Sequence, residues 1–218
     1  MSDSDSFIEE VTEEVRRDRL FALIKRYGWI AASAILLLVG GASFNEYRKA
    51  QEQAKAQRLG DAMLAALENN DIAARAAALD AIEAETPGGA AILALLASSQ
   101  ETEAGQGAQA SERLQVIATN SDLPEIYRNI AGYKALLAGS DTLSVDERRA
   151  GFQGLAVPGN PLRLLAEEQL ALLSLETGAV DEALGQFNRI VEDAEASEGV
   201  RRRAAQMIVA LGGEAPET

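Results

Sequence analysis

The sequence predicts an all-α fold, with a single N-terminal transmembrane helix followed by a solenoid of helical hairpins. Three observations lead to this prediction. The 218 residues include 41 Ala and 27 Leu but only 5% aromatic residues, and Ala and Leu favour helices whereas aromatic and β-branched residues favour sheets. One uncharged apolar stretch lies near the N-terminus, and turn residues divide the remaining chain into segments of helix length.

Two residue types, cysteine and histidine, are absent from the chain. Their absence excludes thiol nucleophiles, Ser-His-Asp triads and the thiolate or imidazole ligands of most protein metal sites. We therefore expect no enzymatic activity, no cofactor and no small-molecule substrate. The formal net charge of −14 argues against nucleic acid as a partner, because binding to phosphates needs clustered Lys and Arg.

Residues 1–26 form a charged arm that the sequence predicts to contain an amphipathic helix. Ser6 and Glu9 have the spacing of a capping box. Apolar residues then recur at helical spacing, at Phe7, Ile8, Val11 and Val15. Two interpretations stay open, a solvated helix that leads into the membrane or a docking helix. For a docking helix, the glutamates at 9, 10, 13 and 14 favour a protein contact over anionic lipid.

Residues 27–44 are predicted to be the transmembrane helix. This stretch contains no charged residue, and its 18 residues would extend roughly 27 Å as a helix, which is close to the thickness of the hydrocarbon core. Basic pairs flank it on both sides, Lys25 with Arg26 and Arg48 with Lys49. Aromatic residues stand where interfacial side chains belong.

Two other interpretations of 27–44 are a buried core helix and a cleaved signal peptide. A core helix is rarely apolar on all sides and bracketed by basic pairs. A signal peptide begins with a short, net positive segment, whereas the 26 preceding residues hold seven acidic and five basic ones. We therefore expect an uncleaved membrane anchor. The simplest insertion leaves the N-terminus in the cytoplasm and exports everything after Phe44.

Beyond the anchor, we predict a helical stalk at 45–58, a repeat domain at 59–212 and a disordered tail at 213–218. The prolines Pro87, Pro124 and Pro161 are spaced by 37 residues twice, each where a helix should begin. The predicted hairpins are 87–120, 124–156 and 161–196, preceded by a pair at 59–85 and followed by a capping helix at 200–211. After Phe44 the chain holds 15 basic and 27 acidic residues, so the acidity lies on the exported side.

The last hairpin carries the clearest repeat pattern. The 37-residue spacing of the prolines is close to the period of tetratricopeptide (TPR) repeats, about 34 residues. In this hairpin, the small and large consensus positions are occupied by Ala171, Gly178, Ala183 and Phe187. Ser174 stands where an aromatic residue is expected. The predicted domain is therefore a degenerate, TPR-like α-solenoid, whose small residues let paired helices approach closely.

This layout resembles the YfgM-like family, in its alphaproteobacterial type. The resemblance lies in FIEEVTEEVRRDRLFALIKRYGW (7–29), DLPEIYRNIAGYKAL (122–136) and LRLLAEEQLALLSLETGAVDEALGQF (162–187). Members are proteins of the bacterial inner membrane, with one N-terminal membrane helix and a periplasmic TPR-like domain, and they act as ancillary subunits of the SecYEG translocon. The resemblance thus implies a cytoplasmic N-terminus and a periplasmic C-terminal domain. The resemblance implies the Sec translocon, a PpiD-like periplasmic chaperone and exported client proteins as partners. It implies no catalytic residue.

The resulting functional hypothesis is a membrane-anchored scaffold that binds other proteins at the exit of the translocon and assists their handover to periplasmic chaperones. The alternative is a TPR-like adaptor for another cell-envelope assembly or division complex, which the sequence does not separate from the first. A carboxylate enzyme is disfavoured, because adjacent acids on a helix face different directions. The candidate protein-binding residues lie on the first helices of two hairpins: Tyr127, Arg128, Tyr133, Lys134, Arg163 and Glu167. For Tyr127 and Tyr133, packing in the domain is the alternative role.

Overall fold

The computed structural model describes residues 3–214 and, within them, the side chains from residue 25 onward except those of residues 28, 31, 32 and 35. Every regular element in this range is an α-helix, so the all-α prediction is confirmed for it. The helices are α1 (Asp3–Leu67), α2 (Ile72–Asp80), α3 (Pro87–Glu103), α4 (Gly107–Ala118), α5 (Glu125–Ala138), α6 (Val145–Leu155), α7 (Arg163–Glu176), α8 (Val180–Glu192) and α9 (Glu198–Ala210).

The chain divides into two compact units, one ending at Arg58 and the other beginning at Leu59. In the first unit, α1 runs without interruption through the predicted arm, span and stalk. The side chains that define the predicted amphipathic face of the arm lie outside the described ones, as do residues 215–218 of the predicted tail. Among the side chains that are described, no helix is long and apolar enough to cross a membrane. The span at 27–44 includes four residues outside that set and stays a prediction.

Proline and small polar residues determine where several helices of the second unit begin. Pro87 is the first residue of α3, where the missing N–H costs no helical hydrogen bond. Pro124 is the N-cap of α5, and Pro161 stands two residues before the first residue of α7. Ser144 caps α6 in a reciprocal capping box with Glu147. The regular spacing of the prolines therefore corresponds to a regular spacing of helix starts.

The core of the second unit consists of four clusters of buried side chains arranged in chain order. Each cluster draws its members from three consecutive helices, apart from Leu123 in the segment before α5, and the helices α3, α5 and α7 each contribute to two clusters. The first contains Ala66, Leu79, Leu93 and Ala97; the second Ala91, Leu114, Ile117, Leu123, Ala131 and Ala135; the third Leu136, Phe152, Ala166 and Leu173; the fourth Ala171, Ala183, Phe187, Ile190, Val200, Ala204 and Ile208. The packing within this unit is thus between neighbours along the chain.

Candidate functional site

An open cleft of about 430 Å³ lies where α6, α7 and α8 meet. Its lining combines charged, amide and aliphatic side chains: Gln153, Ala156, Arg163, Glu167, Leu170, Gln186, Arg189 and Asp193. Two of the predicted binding residues, Arg163 and Glu167, are among them. The cleft is therefore the first candidate for a binding site.

Arg163 is the centre of an ion-pair network at one side of this cleft. Its guanidinium donates from Nη1 to Glu167 Oε1 at 2.9 Å, and from Nη2 to Asp193 Oδ2 at 2.9 Å and Glu195 Oε2 at 2.7 Å. These three carboxylates raise the pKa of Arg163. The backbone N–H of Glu195 and the guanidinium of Arg163 together lower the pKa of Asp193. The network connects the first turn of α7 to the segment between α8 and α9.

Gln186 brings an unusual polar atom to the cleft. Its Nε2 donates to Glu182 Oε1, one helical turn earlier, at 3.2 Å. Its Oε1 is buried and has no hydrogen-bond partner among the described residues. A buried polar atom without a partner costs free energy, so this oxygen is unfavourable for the stability of the domain.

A second, smaller groove of about 250 Å³ lies between α3, α4 and α5. Its lining is mostly apolar and contains Ser99, Thr102, Leu114, Lys134, Leu137 and Ala138. The ammonium of Lys134 donates to Ser99 Oγ at 3.2 Å. This bond joins α5 to α3 across the floor of the groove, so Lys134 is partly engaged within the domain.

The other three predicted binding residues are half-buried and make contacts within the domain. Tyr127 is half-buried against the second core cluster. Arg128 donates to the carbonyl of Leu123 at 3.2 Å, and thus contacts the loop before its own helix. The ring of Tyr133 meets Phe152 edge-on, with centroids 5.7 Å apart and planes at 65°. Burial raises the pKa of its phenol.

The structure places the six predicted residues in three different surroundings. Arg163 and Glu167 line the cleft, Lys134 lines the groove, and Tyr127, Arg128 and Tyr133 make contacts inside the domain. Their contact with a partner stays a prediction. Gln186 and Arg189 were not predicted, because an amide and a basic residue on an acidic helical surface carry no distinguishing pattern.

Interhelical ion pairs were also missed. Arg113 on α4 bonds to Glu101 on α3 and to Asp80 on α2, although the carboxylate of Glu101 is only 1% exposed. Arg203 on α9 binds both oxygens of Glu168 on α7, at 2.8 and 2.6 Å. One signal was available: Glu101 and Glu168 each interrupt an apolar helical face.

In the part of the chain that the structure describes, all regular elements are helices. The second unit has a core of four clusters arranged in chain order and an open polar cleft. Comparisons of the chain with models of known families, with curated proteins and with solved structures find no match. Among the described residues, no group of histidines, cysteines or acids is arranged to hold a metal ion. The resemblance to the YfgM-like family stays an expectation that rests on the quoted segments.

Proposed function

We propose that this chain is a membrane-anchored scaffold whose helical domain binds other proteins. The domain would be a TPR-like α-solenoid in the periplasm, attached to the bacterial inner membrane by a single N-terminal span. The observation that carries the proposal is the combination, in one chain, of a long helix with exposed apolar side chains and a helical domain with an open, polar cleft. The first suits a lipid environment and the second suits a protein partner.

Side-chain exposure supports the anchor. Leu36, Leu37 and Leu38 are 71%, 77% and 74% exposed, and Trp29 and Phe44 are 68% and 63% exposed. A continuous run of exposed large apolar side chains is unfavourable in water, because it leaves hydrophobic surface uncovered. Insertion into a bilayer would remove this cost.

The packing of core clusters between neighbouring helices supports the proposal of a solenoid. In repeat proteins each unit packs only on its neighbours, and the stacked units present an extended surface for binding other proteins. Four core clusters that each join three consecutive helices fit this description. The anchor would confine that surface to the membrane plane and raise its effective concentration near membrane partners.

The resemblance to the YfgM-like family favours the Sec translocon, a PpiD-like chaperone and exported clients as the partners. Affinity capture of the full chain in a mild detergent tests this proposal. A matched control is the chain ended after Arg58, which keeps the arm, span and stalk but lacks the helical domain. We expect translocon subunits with the full chain and none with the control. Recovery of a different envelope complex would refute the translocon assignment and favour the adaptor alternative.

Orientation needs a separate experiment. A reporter that is active only in the periplasm, fused after Thr218, should be active in the full chain. The same reporter fused after Arg26, before the predicted span, should be silent. The reverse pattern would contradict the proposed topology, whatever partner the domain binds.

A further inference from the structure

We propose that the groove between α3, α4 and α5 binds the C-terminal residue of another polypeptide, with an apolar side chain in the groove and the terminal carboxylate on the ammonium of Lys134. This inference rests on the proposed function, since it assumes that the domain binds other proteins. It adds the place of contact and the chemistry of the bound residue.

The first argument is the charge of the groove. Lys134 is the only charged residue among those that line it. Within the described part of the chain, its ammonium forms one hydrogen bond, to the neutral hydroxyl of Ser99, whereas the guanidiniums of Arg113, Arg148 and Arg163 are paired with carboxylates. An ammonium has three N–H donors, so Lys134 has donors available for an anion in the groove.

The second argument is the apolar surface beside this ammonium. Leu114, Leu137 and Ala138 contribute aliphatic side chains to the lining. Leu137 is 41% exposed, and covering such a side chain is favourable in water. A groove of about 250 Å³ is smaller than the pockets of drug-sized ligands, roughly 300–1,000 Å³, and suits a single residue. A cation beside an apolar surface selects a carboxylate attached to an apolar group.

The third argument favours a polypeptide over a free aliphatic carboxylate. Ser99 and Thr102 both line the groove and are three positions apart on α3, so their side chains lie on the same face of the helix. The hydroxyl of Thr102 donates to the carbonyl of Ser98 at 2.8 Å, and its oxygen can still accept. A C-terminal residue presents a backbone N–H next to its carboxylate, and this N–H is a donor for Thr102.

The fourth argument is the charge of the surrounding domain, which restricts the rest of the bound segment. Residues 59–218 hold 11 basic and 25 acidic side chains, a net of −14. Such a field repels acidic segments. We therefore expect the bound carboxylate to belong to a segment that has no further acidic residues near its end.

Fluorescence anisotropy with two peptides tests the inference on the full chain in detergent micelles. Both peptides carry a neutral fluorophore and end in Gly-Ser-Ala-Leu, one with a free carboxylate and the other with a C-terminal amide. We expect the carboxylate peptide to bind about tenfold more tightly than the amide peptide. Titration of protein-free micelles corrects for partition of the peptides into the detergent.

Two variants locate the binding. Lys134→Met keeps an aliphatic side chain but removes the charge, and should abolish the preference for the carboxylate peptide. Lys49→Met makes the same change at an exposed position of α1, and should keep the preference. If circular dichroism shows that Lys134→Met is unfolded, Leu137→Ser replaces it, since Leu137 is partly exposed. It removes apolar lining and should weaken binding of the carboxylate peptide by about fivefold.

Competition separates a polypeptide from a free acid. N-acetyl-leucine and isocaproate have the same carboxylate and the same branched side chain, but only N-acetyl-leucine has an amide N–H. We expect N-acetyl-leucine to displace the carboxylate peptide at a lower concentration than isocaproate does. Equal displacement would overturn the polypeptide as the occupant, because the groove would then take any aliphatic carboxylate.

The inference is also overturned if the carboxylate and amide peptides bind alike, if Lys134→Met keeps the preference, or if Leu137→Ser in its place keeps the full affinity. If the two peptides bind alike while affinity capture recovers a membrane complex, the assigned groove is wrong and the proposed function stands. If the carboxylate peptide binds as expected while capture fails, the groove stands and the proposed membrane partner is wrong.

Discussion

The ion pair between Glu101 and Arg113 shows how one side chain can hold α2, α3 and α4 together. Its carboxylate is 1% exposed and receives hydrogen bonds from Arg113 Nε and Nη2. The same guanidinium also bonds to Asp80 on α2. Arg113 thus keeps a buried carboxylate paired and connects three helices, so the loss of this one side chain affects all of them.

We predict that Arg113→Met lowers the free energy of unfolding by about 3–5 kcal/mol, because it leaves a buried carboxylate without its cation. Urea denaturation of the full chain in micelles, followed by circular dichroism, measures the change. Arg202→Met is the matched control, since Arg202 is exposed on α9, and should change stability by less than about 0.5 kcal/mol. Adding Glu101→Leu to Arg113→Met should recover much of the loss. A double variant that is as unstable as Arg113→Met alone would refute the explanation.

A second residue-scale prediction concerns alkaline pH. Burial raises the pKa of Tyr133 above its ordinary value of 10.0, and the hydrogen bond with Gln169 opposes this shift in part. The unfolded chain therefore loses the phenolic proton first as the pH rises. The stability contributed by this group is fully present below pH 10 and is lost as the pH rises through the folded pKa.

Melting temperatures measured between pH 8 and pH 12 test this effect. Tyr133→Phe keeps the ring that meets Phe152 and removes only the phenolic hydroxyl. Above pH 10 its melting temperature should fall less steeply. Parallel curves for the two proteins over the whole range would show that Tyr133 does not contribute to the pH dependence.

At the scale of the element, α6 depends on a glycine for its distance from α5. A Cβ atom built on Gly151 would stand 2.5 Å from Cδ2 and 2.7 Å from Cδ1 of Leu136, which is itself a core residue. Gly154, one turn further along the same helix, has nothing within 4 Å of such an atom. Both glycines therefore lie on α6, but only Gly151 is packed against another helix.

We predict opposite effects for the same substitution at these two positions. Gly151→Ala should lower the free energy of unfolding by about 1–3 kcal/mol, because Leu136 must leave its packed position. Gly154→Ala should raise it by up to about 1 kcal/mol, because alanine favours the helix. Urea denaturation of both variants measures the difference. Equal effects of the two changes would contradict the close approach of α5 and α6.

Much of the helical layout was predictable from local sequence. Turn residues and the proline spacing separate the segments, and the helices α3 and α4 fall within the predicted hairpin 87–120. The pairing partners of buried charges were not predictable, since Glu168 and Arg203 are 35 positions apart. The contacts of the predicted binding residues were not predictable for a related reason. Periodicity places Tyr133 on a helix face but does not reveal that Phe152 covers it.

At the scale of the whole molecule, the net charge and the consecutive exposed leucines at 36–38 lie in different parts of the chain. Residues 1–58 are neutral overall, with nine basic and nine acidic side chains, and they include the exposed leucines at 36–38. Residues 59–218 carry the net charge of −14. An acidic domain is repelled by anionic lipid headgroups, so the proposed membrane attachment would rest on the predicted span at 27–44.

This division leads to a prediction about membrane attachment. The full chain should stay in the membrane pellet after extraction with alkaline carbonate, and Leu37→Arg should increase the released fraction, because an arginine at the centre of a span costs about 2.5–3.5 kcal/mol on insertion. Leu64→Arg is the matched control, since Leu64 is 64% exposed on the same helix but lies beyond the predicted span. It should leave the pellet fraction unchanged. Release of the original chain by carbonate, or equal release of the two variants, would contradict a span at 27–44.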